Sequence, residues 1–273
     1  MGQDILHDFS SSSLLTAMEV NVQEAWVRLG HGLGAVVHDE PELLWFSSGL
    51  PFHLANGIVR AHFPADVWEE VLEERLKQLT AKRVPIAWLI GPSTSPTDLG
   101  SWLEKHGWLL EDEAPGMAVD LNALDEHLSF SSKLKIQHVS DGEALKTWLR
   151  IMTVGSEIPE EGLMLLLDVV TKQGFKPDTS VHYYLGLLDD QPVATSLLFL
   201  GGGVAGIYNV ATLPGVRRQG IGSALTMAPL LEARAWGYRI GTLQSTAMGL
   251  NLYRRLGFRE YCKFHAYIWQ GEV

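Results

Sequence analysis

The stretch Asn209-Val210-Ala211-Thr212-Leu213-Pro214-Gly215-Val216-Arg217-Arg218-Gln219-Gly220-Ile221-Gly222 decides the reading of this chain. Ala205–Thr212 reads as a strand, Pro214-Gly215 turns the chain, and a helix is predicted over Ile221–Trp236. A helix start leaves backbone N–H groups without intrahelical partners, and the macrodipole adds about half a positive charge there. Gly220 and Gly222 clear side chains from that end, so an anion can reach the backbone. Arg217 and Arg218 add cationic charge, and the segment reads as a pyrophosphate cradle built on main-chain donors. Other phosphate loops fit badly. No Gly-Lys-Ser/Thr is present here, and Leu225 stands where a G-x-G-x-x-G fingerprint needs its third glycine. A plain helix start with glycines for packing carries the same letters, so the loop alone does not decide.

The second segment does. Beyond the helix and a strand come Leu243-Gln244-Ser245-Thr246 and then Asn251-Leu252-Tyr253-Arg254-Arg255-Leu256-Gly257-Phe258. The order A-T-L-P-x-x-R-x-x-G-x-G, one helix, one strand, L-Y-x-x-L-G-F resembles the GNAT superfamily of N-acetyltransferases, over about Leu134 to Trp269. The resemblance implies an α/β (α+β) fold, a mixed, mostly antiparallel sheet flanked by helices. It also implies acetyl-CoA, or another short acyl-CoA, as co-substrate. Val210, Ala211, Thr212 and Leu213 would pair with the pantetheine arm, and Arg217, Arg218, Gln219, Gly220, Ile221, Gly222 and Ser223 would hold the pyrophosphate. Ser245 and Asn251 fall on the same cofactor side, although Ser245 reads equally well as a helix cap.

Tyr253 stands where the family often protonates the departing thiolate. A phenol of ordinary pKa about 10 can serve a thiolate of about 8.5 where the site favours the transition state. The alternative is a packed aromatic whose hydroxyl bonds cofactor or backbone. The attacking amine must be neutral, which calls for a base or a water chain. Glu157 and Glu160 lie where the family lines its acceptor groove, and they also read as solvated loop carboxylates. Tyr208 and Asn209 could face the same place. Cys262, in the last strand, reads as a buried core thiol.

Outside this unit the pattern is weaker. Leu14, Leu15, Met18, Val22 and Trp26 have helical spacing, and Gly34–Val37 and Leu43–Ser47 read as strands. Gly30–Gly34 lacks the strand–loop–helix context of a nucleotide loop and reads as a mobile turn. Pro64 and Ala65 open a helix to Ala81. Pro85–Ile90, Asp98–His106 and Met117–Leu121 then give strand, helix and strand. That run lies over Ile240–Trp269, with Leu103 at the position of Tyr253 and Gly107-Trp108 at that of Gly257-Phe258. No R-x-x-G-x-G precedes the 65–81 helix. The first half therefore resembles a degenerate second GNAT-like unit without a phosphate loop, and the polar Leu124–Lys133 reads as the linker. The expected domains are 1–128 and 129–273. Within the second, Asp141 caps a helix to Met152, Gly155–Gly162 breaks it, and His182–Leu188 and Val193–Leu200 form a hairpin about Asp189-Asp190.

The bulk properties narrow the partners. With 21 Lys+Arg against 32 Asp+Glu the formal charge is −11, and no Lys/Arg cluster exceeds a pair. Nucleic acid is a poor partner for such a surface, which also argues against aminoacyl transfer from tRNA. One cysteine excludes an intrachain disulfide. The ten histidines show no zinc spacing, so no metal is expected. Met1–Ser13 has no signal-peptide core and no apolar run reaches membrane length, which makes the cytoplasm the default. The expected function is acyl transfer from CoA to an amine-bearing small molecule or peptide; the alternative is a non-catalytic acyl-CoA sensor. The acceptor and a homodimer are left open.

Overall fold

The computed structural model describes residues 4–64, 68–125, 131–173 and 178–271. The chain forms two compact units, and neither is a contiguous half. One comprises Met1–Asn21 with Gly116–Tyr261, the other Val22–Pro115 with Cys262–Val273. This differs from a cut at 128/129 because two strands and one helix run through both units. The sequence places turns well, but it carries no signal for which sheet a long strand joins. Of the expected linker, residues 126–130 lie outside the described residues.

The larger unit contains β6 Leu134–His138, α4 Gly142–Gly155, α5 Glu160–Gln173, β7 Val181–Leu188, β8 Gln191–Gly201 and β9 Val204–Thr212. α6 Ile221–Ala235, β10 Ile240–Gln244 and α7 Leu250–Arg255 follow, and β11 Arg259–Trp269 begins there. β5, Leu109–Asp120, contributes its end, Gly116–Asp120, which pairs antiparallel with β10. From β6 to β9 each strand pairs antiparallel with the next, and β9 runs parallel to β10. Asp189 and Asp190 both take positive φ, 49° and 63°, in the β7–β8 hairpin, and Gly202 and Gly203 do so in the next one. Such turns match the strand twist. Asp141 Oδ1 accepts from Ala144 N at 2.8 Å and starts α4 as its sequence predicts. α5 starts at Glu160, earlier than the glycine spacing suggests, because Pro159 sets its first turn.

Leu198, Leu200, Ala205, Ile207 and Leu243 meet Leu225 and Leu230 of α6 in one apolar core. Burying this surface is what holds α6 against the sheet. The other face receives α1, Ser11–Gly32, whose first half belongs to this unit. Asn21 is fully buried there. Its Nδ2 donates to Gly201 O at 2.9 Å, and its Oδ1 accepts from Tyr208 OH at 2.7 Å.

The smaller unit contains β1 Val36–Asp39, β2 Leu43–Ser47, β3 Asn56–Ala61, α2 Trp68–Leu79, β4 Ile86–Ile90 and α3 Leu99–Lys105. It also takes the start of β5 and residues 262–269 of β11. β1, β2 and β3 pair antiparallel in order, β3 runs parallel to β4, and β4 pairs antiparallel with His265–Trp269 of β11. The expected helix start at Pro64 and Ala65 falls partly on residues 65–67, which lie outside the described residues. Gly30 and Gly32 are the last turn of α1, and Gly34 at φ 77° lies just beyond it. The expected mobile turn is thus a helix end, and its glycine supplies the left-handed residue such an end requires. Met117–Asp120 proves to be the second part of the longer β5, and Leu121 opens a 3₁₀ turn.

The two units repeat one plan: a parallel strand pair, a short helix, a left-handed glycine and a returning strand. Phe258 N donates to Tyr253 O at 3.0 Å and Trp108 N to Leu103 O at 3.0 Å. Gly257 and Gly107 have φ of 92° and 83°. The fold is mixed α/β with a mostly antiparallel sheet flanked by helices, as the sequence predicts.

Asn21→Leu is expected to lower stability by roughly 2–4 kcal/mol, since Gly201 O and the Tyr208 hydroxyl each lose a buried partner. A urea midpoint measured against the wild type tests this.

Candidate functional site

β9 is the strand that makes the site. Thr195 faces Ala211 and Leu197 faces Tyr208, so Asn209 and Val210 together oppose Ser196. That is a β-bulge, and Asn209 adopts φ 51° within it. Thr195 Oγ1 donates to Asn209 O at 2.9 Å and fixes the distortion. On the other side, the parallel ladder pairs Gly241 with Ala205 and Thr242 with Gly206. β9 continues to Thr212 and β10 to Gln244 beyond these rungs. Among the described residues no ladder pair joins the two strands beyond that point, so the end of β9 has its β10 side free of sheet pairing.

At the far end of β9, Pro214–Val216 forms a 3₁₀ turn and Gly220, at φ 80°, stands before α6. Ala224 N donates to Gly220 O, which makes it the first intrahelical bond. The amides of Ile221, Gly222 and Ser223 thus have no acceptor within the helix. A Cβ on Gly222 would stand 3.2 Å from Leu252 Cδ1, so a glycine keeps this approach open. Arg218, Gln219 and Gly220 are exposed, and Arg218 takes φ 62°.

Arg217 behaves differently from its expected role as plain charge. Its Nε donates to Thr212 O at 3.1 Å and its Nη2 to Gly155 O at 3.0 Å. Its Nη1 lies 3.5 Å from Glu157 Oε1. The guanidinium ties the end of β9 to the end of α4, where a Cβ on Gly155 would come within 2.9 Å of Ala211 Cβ. Glu157, at φ 59°, is exposed and held in that ion pair; Glu160 is exposed at the start of α5.

Tyr253 of α7 is 9% exposed and packs edge-on against Phe258, ring centroids 5.8 Å apart. Burial pushes its phenol up to about 12. Among the described residues its hydroxyl has no hydrogen-bond partner. A Cβ on Gly249 would reach 2.7 Å from its Cε2, so the glycine before α7 makes room for the ring. Ser245 does not cap that helix. Its Oγ donates to Thr246 O at 2.8 Å, while Thr246 Oγ1 accepts from Gly249 N. Asn251 is exposed on α7, and Cys262 is half-buried rather than a core thiol.

Sequence reading missed the polar pair on β10. Thr242 Oγ1 and Gln244 Nε2 are buried without a hydrogen-bond partner among the described residues. Period-two spacing in an otherwise apolar strand was the available signal. Among the described residues no group of His, Cys, Asp or Glu could hold a metal ion, and no helix is long and apolar enough to cross a membrane.

Residues 179–260 match the family model of the acetyltransferase (GNAT) domain, from β7 into β11. A GCN5-related N-acetyltransferase from Kribbella flavida superposes with a TM-score of 0.65 at 20% identity, covering 92% of this chain and 96% of that one. One from Sphaerobacter thermophilus does so at 0.62 and 15%, covering 96% and 94%. A tandem GNAT protein from the clavulanic acid biosynthesis pathway gives 0.56 at 11%, covering 85% and 79%. These likenesses establish the fold. No curated protein matches the sequence.

Arg217→Lys should cost about 1–2 kcal/mol, because an ammonium cannot reach two carbonyls in a fixed fork. Hydrogen exchange at 218–223 should rise with it. Tyr253 retains its proton longer in the folded than in the unfolded chain. Its contribution is therefore complete below pH about 10 and drains as pH rises towards about 12. Tyr253→Phe is expected to flatten that alkaline loss of stability, as followed by denaturation across the same range.

Proposed function

We propose that the protein, whose residues 179–260 match the acetyltransferase (GNAT) domain model, transfers an acetyl or other short acyl group from CoA directly to a primary amine. The observation that carries this reading is the conjunction of a β9 end free of β10 pairing with an open helix start at the end of the same strand. A ligand with an anionic head and an extended, amide-bearing arm suits that pair of features. The diphosphate would bind amides from Arg218 to Ser223, with Arg218 as solvent-facing countercharge. The arm would lie along Val210–Leu213, where β9 lacks a neighbour on the β10 side. Ser245 and Asn251 would flank it from β10 and α7. CoA supplies the activated thioester.

The chemistry then falls to the chain. The amine nitrogen attacks the thioester carbonyl carbon, the C–N bond forms, and the C–S bond breaks as the tetrahedral centre collapses. Tyr253 offers its proton to the departing sulfur. Its burial keeps the phenol protonated through the neutral range, and the same dry surroundings raise a thiolate's own proton affinity. The attacking nitrogen gives up its proton to Glu157 or to water. Glu157, at the α4–α5 turn and paired with Arg217 at the end of β9, would receive that proton through water.

Two measurements test the reading. Calorimetry should detect CoA binding to the pure protein, and no uptake at millimolar CoA would end the proposal. Tyr253→Phe should lower kcat by at least about tenfold while leaving acetyl-CoA binding nearly unchanged. An unchanged kcat removes the acid role, and CoA binding without turnover of any amine leaves the sensor reading in its place.

A further inference from the structure

Thr242 is fully buried, yet among the described residues its hydroxyl has no partner, and neither has the amide nitrogen of Gln244 two residues on. An unmet buried polar group costs about 1–3 kcal/mol, so the fold gains nothing from this pair. Their position is specific. A Cβ on Gly241 would meet Leu230 of α6, which puts Gly241 and Leu243 on the α6 face. Thr242 and Gln244 project from the opposite face by strand alternation. Gly206, the ladder partner of Thr242, lies on that same face, since a Cβ there would overlap Asn21 Oδ1 and come within 2.7 Å of Tyr208 Cε2. Across β10 the opposing residues are small, Ala118 beside Thr242 and Gly116 beside Gln244. The pair thus stands where the β9–β10 ladder stops, with only Gly116, Ala118 and Gly206 as its ladder neighbours.

Tyr253 belongs to the core on the α6 face. If the thiolate leaves towards Tyr253, the nucleophile approaches from the other face, the one on which Thr242 and Gln244 lie. We propose that these two residues read the acyl acceptor, and that the acceptor carries a neutral carbonyl oxygen beside its amine, as amino-acid amides and peptide N-termini do. This rests on the transferase reading above. Gln244 Nε2 is a donor and needs an oxygen. A neutral carbonyl answers it without bringing a full charge into a buried place, which a carboxylate would do. Thr242 Oγ1 accepts from the amine N–H and turns the nitrogen lone pair towards the thioester. Tyr208, held by Asn21, walls the same side.

The test uses the full chain with acetyl-CoA and two probe amines. These are L-alaninamide and isopropylamine, which has a methyl where alaninamide has its carboxamide. The wild type should show a kcat/KM at least about tenfold higher for alaninamide. Gln244→Leu should abolish that preference, and Thr242→Val should lower kcat/KM for both amines. Acetyl-CoA affinity should stay the same in both variants, and each should melt at or above the wild-type Tm, since a polar group unmet in the free protein is removed. Equal use of the two amines, use of neither, a preference intact in Gln244→Leu, or variants that melt lower would each overturn the inference. Where calorimetry finds CoA uptake and the amine preference is missing, only the acceptor assignment falls. Absence of CoA uptake brings down the transferase reading itself.

Discussion

The site depends on β9 losing one neighbour while keeping the other. A strand inside a sheet normally spends its N–H and C=O groups on both sides, and giving up one side without a ligand or solvent to replace it is costly. Here the loss begins after the Gly206–Thr242 rung. Its geometry is secured by local interactions, namely the Asn209 bulge, the Thr195 hydroxyl on Asn209 O, and Arg217 gripping Thr212 O. Each removes a degree of freedom from the free edge. The strand can therefore remain extended without its partner, and the α6 amides stay at a fixed place relative to that edge.

The smaller unit carries the same plan with large apolar side chains at the matching positions. Leu103 takes the place of Tyr253 and is fully buried, and Trp108 takes that of Phe258. Trp88 and Trp108 meet edge-on with centroids 5.5 Å apart in a core shared with Leu72 and Trp102. Large apolar side chains fill this core, and the glycine-rich entry to its long helix is missing. Asn56, nearly fully buried, makes its amide donations to Leu50 O, Phe52 O and Pro85 O, so its polar capacity is spent on holding loops. The two units differ in what their polar groups are committed to more than in topology.

Much of this was legible in the letters. The strand and helix limits around Gly220 follow from glycine geometry and local periodicity, and the structure reproduces them within a residue. The Asp141 cap and the Asp189-Asp190 turn are equally local. What the letters could not carry was long-range. Arg217 reads as a phosphate ligand until the carbonyls of Thr212 and Gly155 are seen to claim it. Asn21 reads as one more polar residue of a helix, and only the fold brings Gly201 and Tyr208 to it. The polar pair on β10 is visible in sequence, but its lack of partners is a property of the assembled core.

Strand exchange between the units sets the order in which the protein can be finished. The larger unit draws its edge strand from residues 116–120, which are made early, and the smaller unit draws one from residues 262–269, which are made late. On the ribosome, β4 must wait with an open edge until some 170 further residues have emerged, and an open edge is a template for wrong pairing. Neither unit can be excised by cutting the chain once. A gene fragment split near the middle would encode two pieces, each lacking a strand that the other carries, and they would recover their sheets only by finding one another.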